Sequence, residues 1–245
     1  DLISFNLHHR LILFLVVSLA LLVLGLTETT IGGLRVPIPT VGTPTLATEI
    51  FLSAKSFLLP RDVLLVALGP VSVFVAPMVM AFLISLLITF PYMLYSFETF
   101  LRPALYPKER TVMYRLIFPS LILFYLGSAF GYFFIIPKTF SILYSFAAPI
   151  GVTPFFSLDS FISSVFLLTV SVGAIFLLPV FMVALTRLSI IPHEWWLKHW
   201  RGALLTSLIF CAAITPDGSG VTMVFLFIPL TLLYGTGAVL SGKNS

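Results

Sequence analysis

The chain has 245 residues, of which 59% are hydrophobic and only 9% charged, with a mean hydropathy of +1.14. A soluble domain carries charge at about a quarter of its positions, so this composition excludes a water-facing globule and requires lipid over much of the surface. The net charge of +4 forms no basic run or stripe, which argues against nucleic acid and leaves the lysines and arginines as topology signals.

A membrane-crossing helix needs about 20 apolar residues. The first candidate is Leu11–Leu26, extended to Leu7. It lacks a small-residue cleavage site and further spans follow, so it reads as a true helix rather than a signal peptide. Thr27–Asp62 is rich in Gly, Pro and Thr, carries six charged side chains, and is expected to fold back as a compact external cap covering about 27–70. The apolar run Val63–Leu101 has no polar turn for a hairpin. It predicts one long helix over 71–101, bent at Pro77 and Pro91.

Spans follow at 116–136 and 161–185, with Pro119 and Pro179 as kink points. The fifth, 202–214, has 13 residues and covers only about 20 Å, so the bilayer must thin there or its flanks must snorkel. The sixth is 221–240, and Asp217, in the turn before it, is placed to cap its N-terminus. The predicted class is therefore an all-α membrane protein of six helices forming one integral domain.

Nine basic residues fall on one side of these spans: Arg10, Arg102, Lys108, Arg110, Arg115, Arg187, Lys198, Arg201 and Lys243. Four fall on the other: Arg35, Lys55, Arg61 and Lys138. The excess predicts that the first side, with both termini, is cytoplasmic and that the cap is external.

Catalytic chemistry has no visible basis. His8, His9, His193 and His199 all sit at predicted cytoplasmic edges, away from any carboxylate at metal-ligand spacing. Asp217-Gly218-Ser219-Gly220 places its serine in an external turn without a histidine to activate it. Cys211 is a lone cysteine in an apolar stretch, with no disulfide or Cys-based metal site open to it. No enzyme activity, metal or cofactor is expected, and no phosphate-binding glycine loop is present.

The segment Phe97–Arg110, FETFLRPALYPKER, concentrates charge at one membrane edge. Glu109 stands among Arg102, Lys108, Arg110 and Arg115. It can neutralise these arginines, or offer a carboxylate to a cationic ligand such as a guanidinium. Glu98 lies within an apolar helix, where acids are costly and often functional. Its simplest partner is Arg102, one turn away.

The order Phe100-Leu101-Arg102-Pro103-Ala104-Leu105-Tyr106-Pro107-Lys108-Glu109-Arg110 resembles the TatC family, the receptor subunit of the twin-arginine protein translocase. Pro70, Pro91 and Tyr95 follow the family pattern, as do Gly127, Tyr132 and Pro137, then Gly173, Phe176 and Pro179, and finally Thr215-Pro216-Asp217, Pro229 and Tyr234.

The resemblance implies a concave six-helix bundle in a prokaryotic cytoplasmic membrane. It implies binding of signal peptides with paired arginines, assembly with itself and with TatA/TatB-type single-span partners, and export of folded cargo by the proton-motive force. It also implies that Glu109 engages the signal's arginines, with Arg110, Phe100, Pro103, Leu105 and Tyr106 forming the surface around it and Asn6 and Arg10 contributing from the first helix. Several positions depart from the family. Its first-helix acid is Asn6 here, its fourth-helix glutamate is Leu177, a loop acid is Ser72, and a Gln/Trp pair is Ser96 and Glu98. These changes point to a divergent member in which Glu98 compensates for a lost carboxylate. The competing reading is a small-solute or ion transporter that uses Glu98 as its intramembrane acid.

Overall fold

The computed structural model describes residues 16–17, 19–20, 24–31, 34–41, 46–59, 63–101, 103, 105–145, 155–215 and 220–242. Four of the described helical stretches are long and apolar enough to cross a membrane: Pro70–Leu101, Glu109–Ser145, Leu158–Arg187 and Thr222–Gly242. The shorter apolar helix Trp200–Ile214 is the fifth predicted span. The first predicted span lies mostly outside the described residues, and its boundary needs one correction. Strand β1 (Leu24–Ile31) includes the last three residues predicted for that span, so the segment predicted as the cap starts at Leu24 rather than Thr27.

The chain divides into two compact units, residues 1–92 with 144–166, and residues 93–143 with 167–245. In the first unit, β1 pairs antiparallel with β2 (Leu34–Val41), from Leu24 opposite Val41 to Ile31 opposite Leu34. The sequence between them is Gly32-Gly33, a composition favoured by two-residue hairpins. Helix α1 (Leu46–Leu58) buries Ala47, Ala54 and Leu58. A short strand, β3 (Leu64–Val66), runs parallel to β4 (Phe155–Ser157), tying the cap to the segment that leads into the fourth predicted span.

Helix α2 (Pro70–Leu101) shows why a continuous apolar run makes one helix with two distinct faces. Within the first unit its buried positions include Ala76, Met80, Ala81, Ser85 and Thr89, while Val71, Phe74 and Ile88 are exposed. Mostly small residues inward, with Met80 and Leu83 among them, and bulky ones outward is the pattern expected where lipid, not water, is the outer solvent. The Ser85 and Thr89 hydroxyls donate to the carbonyls of Ala81 and Ser85, each at 2.7 Å, so neither buried hydroxyl is wasted. Pro77 and Pro91 lie inside this helix, as predicted.

At its start, the Ser72 hydroxyl donates to Asp159 Oδ2 at 2.5 Å. Asp159 is in the first turn of α5 (Leu158–Phe176), where the helix dipole favours an acid. Where the resemblance leads to the expectation of an acid at position 72, a carboxylate from another helix meets the Ser72 hydroxyl. Ser72→Ala strips Asp159 of this donor and is expected to destabilise the chain by about 1–2 kcal/mol, read as a lowered Tm in detergent.

In the second unit, α3 (Pro107–Phe130) runs into a π-helical turn (Gly131–Ile135) and then α4 (Ile136–Ser145). Pro137 explains the turn. It has no N–H to give the Phe133 carbonyl, and its ring crowds that oxygen. The backbone takes the wider path, with the Ile136 N–H bonding Gly131 O.

Gly127, Gly131 and Gly173 allow α3 and α5 to touch at backbone distance. A Cβ on Gly127 would lie 2.6 Å from Phe176 Cβ and 2.8 Å from the Val172 carbonyl oxygen, and one on Gly131 would lie 3.1 Å from Val172. Close approach through small residues is a principal way for helices to associate in lipid.

Helix α5 breaks at Leu177, two residues before Pro179, and resumes as α6 (Leu178–Arg187). There follow α7 (His193–Lys198), α8 (Trp200–Ile214) and α9 (Val221–Gly242). Met182, Trp196, Tyr234 and Ala238 form a buried cluster joining α6, α7 and α9. Tyr234 Oη donates to the Trp196 carbonyl at 2.6 Å, and Trp196 Nε1 donates to Thr186 Oγ1 at 3.0 Å. His193 Nδ1 lies 2.9 Å from Ser241 Oγ, and His199 stacks on Trp195 at 4.5 Å. His193 is thereby tied to α9, while His199, exposed, lies against the Trp195 ring. Tyr234→Phe keeps the ring and deletes a buried hydrogen bond. It is expected to cost about 1–2 kcal/mol, seen as a lower Tm without loss of helicity.

Candidate functional site

The motif segment joins the last turn of α2 to the first turns of α3. Tyr106 takes an extended conformation (φ −66°, ψ 157°) before the helix, and Pro107 opens it. Proline suits the first helical position because its missing N–H would have no intrahelical partner there. Glu109, at the third helical position, turns back so that Oε2 accepts the Tyr106 N–H at 2.8 Å. The N–H groups of Glu109 and Arg110 donate to the Tyr106 carbonyl at 3.0 and 3.1 Å. Arg110 Nε donates to the Leu105 carbonyl at 3.3 Å.

Glu109 therefore performs a capping task at the helix start, where the dipole also favours its charge. A carboxylate has about four acceptor positions, so this single bond leaves it able to take a guanidinium. Along the motif segment Tyr106 is 76% exposed, Phe100 57% exposed, Pro103 and Arg110 exposed, and Leu105 half-buried. Of the other predicted site residues, Asn6, Arg10 and Asp217 lie outside the described residues.

Glu98 behaves differently. It is 3% exposed and lines a cavity of about 340 Å³ with Arg110, Thr111, Tyr114 and Arg115. The predicted one-turn partner, Arg102, lies outside the described residues. What sequence spacing misses is that α3 brings the guanidinium groups of Arg110 and Arg115 to the same cavity, 12 and 17 positions after Glu98.

Leu177 lines a second cavity, about 410 Å³, with Leu178, Phe181, Phe210 and Leu230. Its only hydroxyl-bearing lining residues, Thr206 and Ser207, donate to their own helix carbonyls at Gly202 and Ala203. Leu177, where the resemblance leads to the expectation of an acid, thus faces an apolar space.

The segment Phe97–Arg115 offers a partly exposed carboxylate, Glu109, along with exposed aromatic and basic side chains. Among the described residues it holds no nucleophile–base pair. Residues 5–229 match the family described as Sec-independent protein translocase protein (TatC). The TatC protein of Cenarchaeum symbiosum is 35% identical over 192 residues, covering 78% of this chain and 73% of the relative. That of Aquifex aeolicus is 31% identical over 174 residues, covering 71% and 72%. A crystal structure of the twin-arginine translocase receptor TatC matches with a TM-score of 0.77 and 26% identity, covering 98% of this chain and 96% of that one. A second, in the detergent DDM, matches with a TM-score of 0.76 and 27% identity, covering 98% and 99%. With the motif, the helical fold and these matches in agreement, the chain belongs to the TatC family of membrane-embedded protein translocase components.

Proposed function

We propose that this chain is the signal-peptide receptor and core subunit of a translocase that exports folded proteins bearing twin-arginine signals. The proton-motive force drives the export. The observation that carries the reading is Glu109: a carboxylate fixed by its bond to the Tyr106 N–H, with open acceptor positions, in a segment whose Phe100 and Tyr106 rings are exposed. A guanidinium binds such a carboxylate through paired, charge-assisted hydrogen bonds, which a lysine ammonium cannot reproduce. The exposed aromatic rings give the apolar part of a signal a surface to lie on. Arg110, held to the Leu105 carbonyl, and Pro103 keep this surface in shape, and Asn6 and Arg10 contribute from the first helix.

The basic side of the spans, carrying this site and both termini, faces the cytoplasm of a prokaryotic inner membrane. TatA/TatB-type single-span proteins and further copies of this chain complete the assembly.

The test places a photoreactive residue at Phe100 or Tyr106 in the membrane-embedded chain and adds a twin-arginine signal peptide. Crosslinks are expected to the paired-arginine peptide and to fall sharply when both arginines are lysine. Equal yields from the two peptides would overturn the assignment.

A further inference from the structure

We propose that the cavity at Glu98 is a phospholipid headgroup site, selective for headgroups that carry a hydrogen-bond donor beyond the phosphate. Its walls hold both signs of charge: a buried carboxylate, Glu98, and the guanidinium groups of Arg110 and Arg115, with the hydroxyls of Thr111 and Tyr114. A simple anion satisfies the arginines but is repelled by Glu98. A simple cation meets the reverse conflict. A phosphodiester joined to an ammonium or a polyol satisfies both, with the phosphate on the guanidinium groups and the terminal donors on the carboxylate. The cavity holds about 340 Å³, the space of roughly ten water molecules, which suits a headgroup and not a whole peptide segment.

Its position fits the same occupant. Glu98 is in the last turn of one apolar span, and Arg110 to Arg115 lie in the first turns of the next. The aromatic side chains Phe97, Tyr114 and Phe118 are 56%, 62% and 71% exposed. Aromatic rings exposed at a span's end mark the headgroup level. Tyr114 lines the cavity, and Phe118 lies one turn deeper on the same helix, where an acyl chain leaving the headgroup would run.

The experiment is native mass spectrometry of the full chain in detergent. It is titrated separately with dioleoyl lipids bearing ethanolamine, glycerol or choline headgroups, and with inorganic phosphate. Choline carries no donor for Glu98, so ethanolamine and glycerol lipids are expected to bind roughly tenfold more tightly than choline lipid. Glu98→Gln, nearly the same shape, is expected to erase most of that preference. Arg115→Gln is expected to weaken all three lipids, and Tyr114→Phe, at an exposed position, to weaken them by a smaller factor without affecting folding. Equal binding of choline lipid, an unchanged preference in Glu98→Gln, or retention of inorganic phosphate in place of lipid would each overturn the proposal. So would a twin-arginine peptide that needs Glu98 for binding while the lipids show no preference, since that outcome gives the cavity to the peptide.

Discussion

Glu109→Gln is expected to lower signal-peptide crosslinking at Tyr106, and export of a twin-arginine reporter, by roughly tenfold or more, while leaving the chain's stability within about 0.5 kcal/mol of wild type. The separation is possible because Glu109 has two tasks. Its Oε2 atom accepts the Tyr106 N–H, and a glutamine carbonyl accepts the same bond. Only the charge is removed, and charge is what a signal arginine requires. Glu109→Ala removes the cap as well and is expected to cost about 1 kcal/mol of stability in addition. Full crosslinking and export in Glu109→Gln would show that the carboxylate serves the helix alone.

Gly127→Leu is expected to destabilise the chain by at least about 3 kcal/mol, or to abolish its accumulation in the membrane, judged by Tm in detergent and by yield. The first added atom already meets Phe176 Cβ at 2.6 Å and a backbone carbonyl oxygen at 2.8 Å, and neither is the end of a flexible side chain. Helices α3 and α5 would have to separate. Gly235→Ala is the matched control, because a Cβ there meets nothing within 4 Å. It should be neutral or slightly stabilising through helix propensity. A tolerant Gly127→Leu would mean that the two helices do not depend on this contact.

The membrane class and most of the helices were legible in the sequence because both follow from hydropathy summed over some 20 residues. The single long α2 was legible for a local reason: no polar turn interrupts its run. The β1–β2 hairpin was not, although Gly32-Gly33 marks its centre. Pro37 and Pro39 argue against a strand, and the apolar Leu24–Leu26 fit the end of a membrane span as well as the start of a strand.

At the candidate site, Glu109 could be found from its motif but its capping bond could not. Tyr106 is not a residue type that announces an N-cap, although the spacing to Glu109 is that of a capping box. Glu98 was conspicuous as an acid in an apolar helix. Its cavity depends on how α3 folds back beside α2's last turn, which no one-turn spacing rule contains. The Ser72–Asp159 contact spans 87 positions and is likewise a product of tertiary packing.

The π-helical turn has a geometric consequence for everything after it. An α-helix advances about 100° per residue, so one extra residue in the turn rotates α4 by that angle relative to an uninterrupted α3. In that orientation Ile136, Thr139 and Phe140 are buried. Deleting one residue from Tyr132–Phe134 would return the helix to its ordinary pitch and swing all three toward lipid. The sequence of α4 is therefore written in a phase that exists only because Pro137 forces the ladder to skip, and the proline and the buried face downstream are constrained as one unit.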